Sequence, residues 1–135
     1  MTETARWTNK KYGGYHIRQP LEDDVDLTRV GPTQPCGEYM RRFWCPVAMT
    51  EQLGELPVPI RILGEDLVIF RDLSGNIGLL HRHCSHRRMS LEFGRIEQHG
   101  IRCAYHGWQF DADGTILDTP GEPADSSIKE KICHG

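Results

Sequence analysis

The sequence predicts a small all-β domain built from antiparallel strands, and three features predict it. Turn signals recur at short intervals, at Ser74-Gly75-Asn76, Gly100, Gly107 and Asp113-Gly114. The apolar segments between them are brief, and the first of them alternates with polar residues, the period of a strand with one buried face. Only one stretch carries the apolar spacing of a helix. At 135 residues and 38% hydrophobic content, the chain can bury one core and is too short for two.

Taken in order, residues 1–30 hold paired glycines (Gly13, Gly14), the acidic run Glu22, Asp23, Asp24 and Asp26, and few aliphatic side chains. They can bury little area, so an extended arm is expected over 1–30, ahead of a domain over 31–135. Between Thr33 and Trp44, apolar residues at 36, 39, 40, 43 and 44 fall on one helical face, with Thr33 as cap and Glu38 four residues before Arg42. This spacing predicts one short helix whose aromatic stripe, Tyr39, Phe43 and Trp44, faces the core. Past Pro46, Val58, Ile60 and Ile62 alternate with Pro59 and Arg61; Leu67 to Phe70 is an apolar run, and the turn at Ser74–Asn76 precedes Ile77 to Leu80. That pattern predicts a hairpin in an antiparallel sheet. Shorter strands are expected at 95–97, 101–103, 108–110 and 115–117. There is no internal repeat and no low-complexity tract.

Charge and hydropathy exclude whole classes of function. Lysine and arginine number 16 against 19 acids, for a net charge of −3 and a pI near 6.1, so the basic footprint of a nucleic-acid binder is missing. No stretch approaches the roughly eighteen apolar residues that span a bilayer, and Met1 to Tyr15 is polar, without a secretory core. A soluble cytoplasmic protein with no membrane partner is expected. Cys36, Cys45, Cys84, Cys103 and Cys133 are odd in number and irregular in spacing, which favours metal ligands or buried thiols over a disulfide framework.

Two pairs carry the chemistry. Cys84-Ser85-His86 and Cys103-Ala104-Tyr105-His106 each set a thiol and an imidazole close together, and sixteen residues separate His86 from Cys103. A tight turn can aim both donors of a pair at one centre, and the intervening segment can return the chain so that the pairs face each other. Tetrahedral zinc is one occupant of such a set, although zinc fingers usually pair Cys with Cys and His with His. The mixed pairing suits a binuclear iron-sulfur centre, with Cys84 and Cys103 on one iron and His86 and His106 on the other. His81 and His83 share one face of a strand and offer a weaker zinc set with His86, which leaves Cys103 and His106 unexplained as a pair. Cys36, Cys45, Cys133, His16, His99 and His134 are read as packed or surface residues.

C-x-H, sixteen residues, then C-x-x-H resembles the Rieske [2Fe-2S] motif. The flanks CSHRRMSL from Cys84 and CAYHGWQFD from Cys103 are similar to those of Rieske-type aromatic ring-hydroxylating oxygenases. Segments GEYMRRFW from Gly37, LPVPIRILGEDLVIFRD from Leu56 and DGTILDTP from Asp113 extend the resemblance over about Thr28 to Lys131, toward the phthalate and chlorobenzoate dioxygenase branch. Arg88 stands where that family commonly has glycine, and Met89 where a small residue is usual.

The resemblance implies an antiparallel β-sandwich with a small cluster-binding subdomain, preceded by the arm and the short helix. It implies a Rieske-type [2Fe-2S] cluster held by Cys84, His86, Cys103 and His106, with Arg87, Met89, Tyr105 and Trp108 around it, Trp108 as a lid that shields the cluster. It implies one-electron transfer from a flavin/iron-sulfur reductase or ferredoxin toward a mononuclear Fe(II) site. Such a site needs two histidines and a carboxylate, and after His106 this chain offers only His134, so the catalytic domain of the parent oxygenase is expected elsewhere. The resemblance also implies a homotrimeric parent, with one subunit's cluster next to another's catalytic iron. A stand-alone Rieske ferredoxin is the alternative, disfavoured by the arm and the Arg41-Arg42-Phe43-Trp44 segment, and a structural zinc module is the third reading. The positions that brace a high-potential Rieske cluster hold Met89 and Tyr105 in place of disulfide cysteines, and Trp108 and Phe110 in place of hydroxyl donors, so a low potential is expected.

Overall fold

A computed structural model describes residues 23–123 and 125–135. Two antiparallel sheets form the body. The first joins β1 (Val58–Ile62), β2 (Glu65–Arg71) and β3 (Ile77–His81) in that order, with Val58 opposite Ile69 and Leu67 opposite His81. The second runs β4 (Arg95–Ile96), β5 (Ile101–Arg102), β6 (Gln109–Phe110) and β7 (Ile116–Asp118), with an irregularity between Gln109 and Phe110. All seven strands lie within or beside the segments expected from alternation and turn signals.

The sheets share one core. Val68, Phe70 and Leu80 of the first pack with Ile101, Phe110 and Ile116 of the second, joined by Leu91 and Trp108. Central β2 buries Val68, Ile69 and Phe70 in succession because both its faces are covered, which is why its sequence reads as an apolar run and β1 as an alternation.

Asp72 ties the sheets together at one end. Its buried carboxylate accepts from the backbone N–H groups of Ser74 (3.0 Å), Asn76 (2.8 Å) and Gly100 (3.2 Å) and from Asn76 Nδ2 (3.1 Å), linking the β2–β3 turn to the β4–β5 turn. The C-terminal segment does the same elsewhere. Helix α3 (Ile128–Lys131) sets Ile128 and Ile132 against the core, and buried His134 places Nε2 2.9 Å from the His81 carbonyl with its ring 4.3 Å from that of Phe110.

The helical expectations need correction. The helix over Thr33–Trp44 shortens to α2 (Pro35–Met40), with Pro35 in its first turn, and it is not the single helical element. Val25–Thr28 forms a helical turn, α1, where an extended arm was expected; Asp24 accepts from the Asp26 N–H and caps it. Residues 1–22 of that arm lie outside the described residues. Single 3₁₀ turns occur at Thr50–Gln52 and Leu91–Phe93.

The aromatic stripe does not face the core. Trp44 is fully exposed at 103%, and Tyr39 and Phe43 are more than half exposed. Helix α2 approaches its neighbours through Gly37, where a Cβ would overlap the carbonyl oxygens of Val30 and Gly31. The buried face is the glycine face, because only a bare backbone fits that approach. Arg41 holds the contact by donating to the carbonyls of Val30, Gly31 and Leu63 and to Glu65, which turns the stripe outward.

Candidate metal centre

The two cysteine-histidine segments become two loops at one end of the shared core, closed by the same hydrogen bonds. In the first, the Cys84 N–H donates to the Met89 carbonyl (2.9 Å) and the Arg88 N–H donates to the Cys84 carbonyl (2.8 Å). In the second, Cys103 N–H donates to the Trp108 carbonyl (2.8 Å) and Gly107 N–H to the Cys103 carbonyl (3.1 Å). The loops are thus twins, cysteine first, with position five left-handed in both: Arg88 at φ 58° and Gly107 at φ 77°. The bridge His83–Ser90 closes the base of the first loop.

This construction sorts the donors by depth. Cys84 and Cys103 are unlinked thiols, buried at 1% and 4% exposure and packed within the core. His86 and His106 lie half-buried at its edge with ring centroids 4.6 Å apart. Thiol therefore meets thiol inside, and imidazole meets imidazole outside. Burial, with the neighbouring Cys103 thiol, pushes the Cys84 thiol up to about 11 against backbone N–H groups that pull it down. A thiol so held keeps its proton until a metal displaces it. His106 is lowered by desolvation and by the charges of His86 and Arg87.

The four residues expected around the donors occupy different depths, and Trp108 lies beneath His86. Trp108 is buried, its indole stacked on the His86 ring at 4.7 Å and 4°, so it backs that imidazole from inside the core. Met89 packs against the same core. Tyr105 is 61% exposed with its ring 3.7 Å from His106, and Arg87 is exposed beside His86. His81 and His83 stay on the strand side of the first loop, and the His81 carbonyl is occupied by His134.

Two features escaped the sequence reading. The hydroxyls of Ser85 and Ser90 and the Trp108 indole N–H are buried with no partner among the described residues; the sole sequence signal was a hydroxyl residue inside the C-x-H pair. Arg102 grips the second loop, its Nη1 donating to the Gly107 carbonyl (2.6 Å) and Asp118 (2.9 Å), its Nε to Glu97 (3.2 Å) and its Nη2 to Gln109. In the sequence no motif marks Arg102.

The donor chemistry decides which metal group fits. Each loop mixes one thiol with one imidazole, whereas structural zinc sites usually pair Cys with Cys and His with His. Two inner thiols and two outer imidazoles match the Cys₂/His₂ division of a Rieske [2Fe-2S] group, and the orphaned hydroxyls are donors that its sulfurs can accept.

Comparison with known proteins agrees. Residues 43–130 match the Rieske [2Fe-2S] domain family. The chain is 51% identical over 127 residues to the tert-butanol monooxygenase / tert-amyl alcohol desaturase oxygenase subunit of Aquincola tertiaricarbonis, covering 92% of this chain and 27% of that protein. It is 45% identical to the phthalate 4,5-dioxygenase oxygenase subunit of Pseudomonas putida, over 84% of this chain and 26% of the relative. The solved structure of NdmA from Pseudomonas putida CBB5 superposes with a TM-score of 0.63 at 31% identity, over 72% of this chain and 31% of that one. The chain thus spans about a quarter of the length of these oxygenase subunits. By its fold and its sequence, it belongs to the Rieske [2Fe-2S] domain family, in the form carried by Rieske oxygenase subunits.

Proposed function

We propose that the chain holds a [2Fe-2S] cluster through Cys84 and Cys103 on the inner iron and His86 and His106 on the outer one, and relays single electrons within an aromatic-ring-hydroxylating type of oxygenase. The observation that carries this reading is the depth sorting of the twin loops, thiols in the core and imidazoles at the rim. When bound, the cluster supplies a one-electron acceptor and donor. The chain's own residues do the rest. The core around Cys84 and Cys103 would keep water from a metal held by the thiols, Trp108 stacks on His86 and would set its ring plane, and Arg102 holds the second loop at the Gly107 carbonyl. The half-buried imidazoles are the exit toward partners. The donor is a flavin/iron-sulfur reductase or a ferredoxin, and the acceptor is a mononuclear Fe(II) site in the remaining part of a longer, trimeric, cytoplasmic oxygenase subunit. Identities of 51% and 45% to oxygenase subunits over 92% and 84% of this chain support this over a stand-alone carrier.

The test is spectroscopic. The chain purified under anaerobic conditions is expected to be brown, to bleach with dithionite and to give a reduced Rieske-type paramagnetic signal. Cys84→Ser and Cys103→Ser are expected to be colourless and less stable, since cluster binding is coupled to folding. Cys36→Ser, Cys45→Ser and Cys133→Ser stay brown. A coloured Cys103→Ser beside a bleached Cys133→Ser overturns the ligand set, and a colourless zinc-loaded wild type overturns the function.

A further inference from the structure

The twin loops differ at the one place where the backbone is most demanding. Position five is left-handed in both, and the second loop fills it with glycine, which adopts that conformation without cost, whereas the first fills it with Arg88. Nothing within the loop requires the guanidinium. Among the described residues the Arg88 side chain makes no hydrogen bond or ion pair, and it is exposed. The other arginines of the region are neutralised: Arg82 by Asp66 (3.2 Å), Arg95 by Glu97, and Arg102 by Glu97 and Asp118. The segment from His81 to Phe110, with five arginines against two acids, therefore delivers its unbalanced charge at Arg87 and Arg88, both exposed and directly following His86 in the chain.

We propose that Arg88 is a docking contact for an electron-donor protein whose redox centre is rimmed by carboxylates. Backbone strain persists where a function holds it, and here the strained position carries an exposed cation two residues along the chain from His86. The proposal rests on the electron-transfer reading above. In the step it serves, one electron leaves the donor's reduced centre and enters the oxidised cluster, so the donor is oxidised by one electron and the cluster reduced by one; no bond forms or breaks. Arg88 acts before that step, steering encounter and holding the donor's rim against the imidazole edge.

The experiment uses the cluster-loaded chain in stopped flow, with two electron sources: a reduced acidic plant-type [2Fe-2S] ferredoxin, whose lower potential makes the transfer downhill, and the methyl viologen radical cation. With ferredoxin at low salt, Arg88→Gly and Arg88→Gln are expected to slow reduction several-fold and flatten its salt dependence, while Arg88→Lys keeps more than half the wild-type rate. With methyl viologen neither charge-removing variant is slowed. Arg88→Gly is also expected to raise Tm, because glycine relieves the left-handed strain. Ferredoxin rates equal to wild type in both Gly and Gln variants overturn the proposal, as does an Arg88→Lys variant as slow as Arg88→Gln. A lowered Tm in Arg88→Gly removes the strain argument and overturns it too. If the electron-transfer reading itself is wrong, the wild type shows no bleaching with either source, a result distinct from all of these.

Discussion

Ser85 and Trp44 show how far a residue's role departs from its type. The Ser85 hydroxyl is one residue from Cys84, buried and without a partner, and an unsatisfied buried hydroxyl costs about 1–3 kcal/mol. A sulfur of a bound cluster would remove that cost by accepting its hydrogen bond, and such a bond would favour the more negative, reduced state. A net bond of about 1 kcal/mol corresponds to about 40 mV for one electron. Ser85→Ala is therefore expected to lower the midpoint potential by about 40 mV in voltammetry, from a starting value toward the low end of the Rieske range near about −150 mV; an unchanged midpoint shows that the hydroxyl points elsewhere. Trp44 is the opposite case, a large apolar residue with its whole side chain in solvent. Truncating a core Trp costs about 3–5 kcal/mol. Trp44→Ser is expected to change stability by less than about 0.5 kcal/mol in urea titration of the chain, and a loss above 2 kcal/mol would return the stripe to the core.

At the scale of elements, the two sheets are joined by turns as much as by packing. Asp72 accepts four hydrogen bonds from two turns that are distant in sequence, so Asp72→Ala orphans backbone N–H groups at the joint and is expected to cost about 3 kcal/mol. Burial pushes this carboxyl up, but the bonds from Asn76, Gly100 and Ser74 outweigh it and hold it below the ordinary carboxylate value. Because its folded pKa is depressed, the stability it contributes is complete above the unfolded value near about 3.9 and is lost as pH falls through the folded one. The stability gap between wild type and Asp72→Asn, followed by urea midpoints, is expected to be level at neutral pH and to close below about pH 4. Glu97 and Asp118 follow the same sign, lowered by Arg95 and Arg102 respectively. A gap that persists unchanged at pH 2 would mean that the charge of Asp72 is irrelevant.

For the whole molecule, His134 is the residue through which the chain's last turn closes on both sheets, bonding β3 at His81 and packing on β6 at Phe110. Burial lowers its pKa, the His81 carbonyl bond opposes this, and the charge of His81 adds to the lowering. A depressed histidine contributes stability that is full above its unfolded value near about 6.5 and declines as pH falls toward the folded value. Wild type is expected to lose stability on acidification below about pH 6.5, ahead of the carboxylates, and His134→Phe is expected to lack that first decline while retaining the packing on Phe110. Identical pH profiles for the two proteins would place the early decline in other groups. This closure was invisible in the sequence, where His134 reads only as a packed or surface residue.

The sequence by itself determined what depends on neighbours along the chain. Alternation at Val58–Ile62, the apolar run of β2, the Gly-marked turns and the Cys-x-His and Cys-x-x-His spacing are local patterns, and strands and ligand loops are built locally, so both the all-β class and the candidate donor set were legible there. Only the tertiary structure decided what depends on approach between distant segments. Gly37 rather than the aromatic stripe became the buried face of α2, because a bare backbone admits closer contact than a row of rings and Arg41 then had carbonyls to grip. The twin geometry that makes Arg88 the counterpart of Gly107, and the pairing that leaves Arg87 and Arg88 as the region's unbalanced charge, arise for the same reason. Backbone handedness and ion pairing are set by which residues the fold brings within a few ångströms, and residue order does not specify that distance.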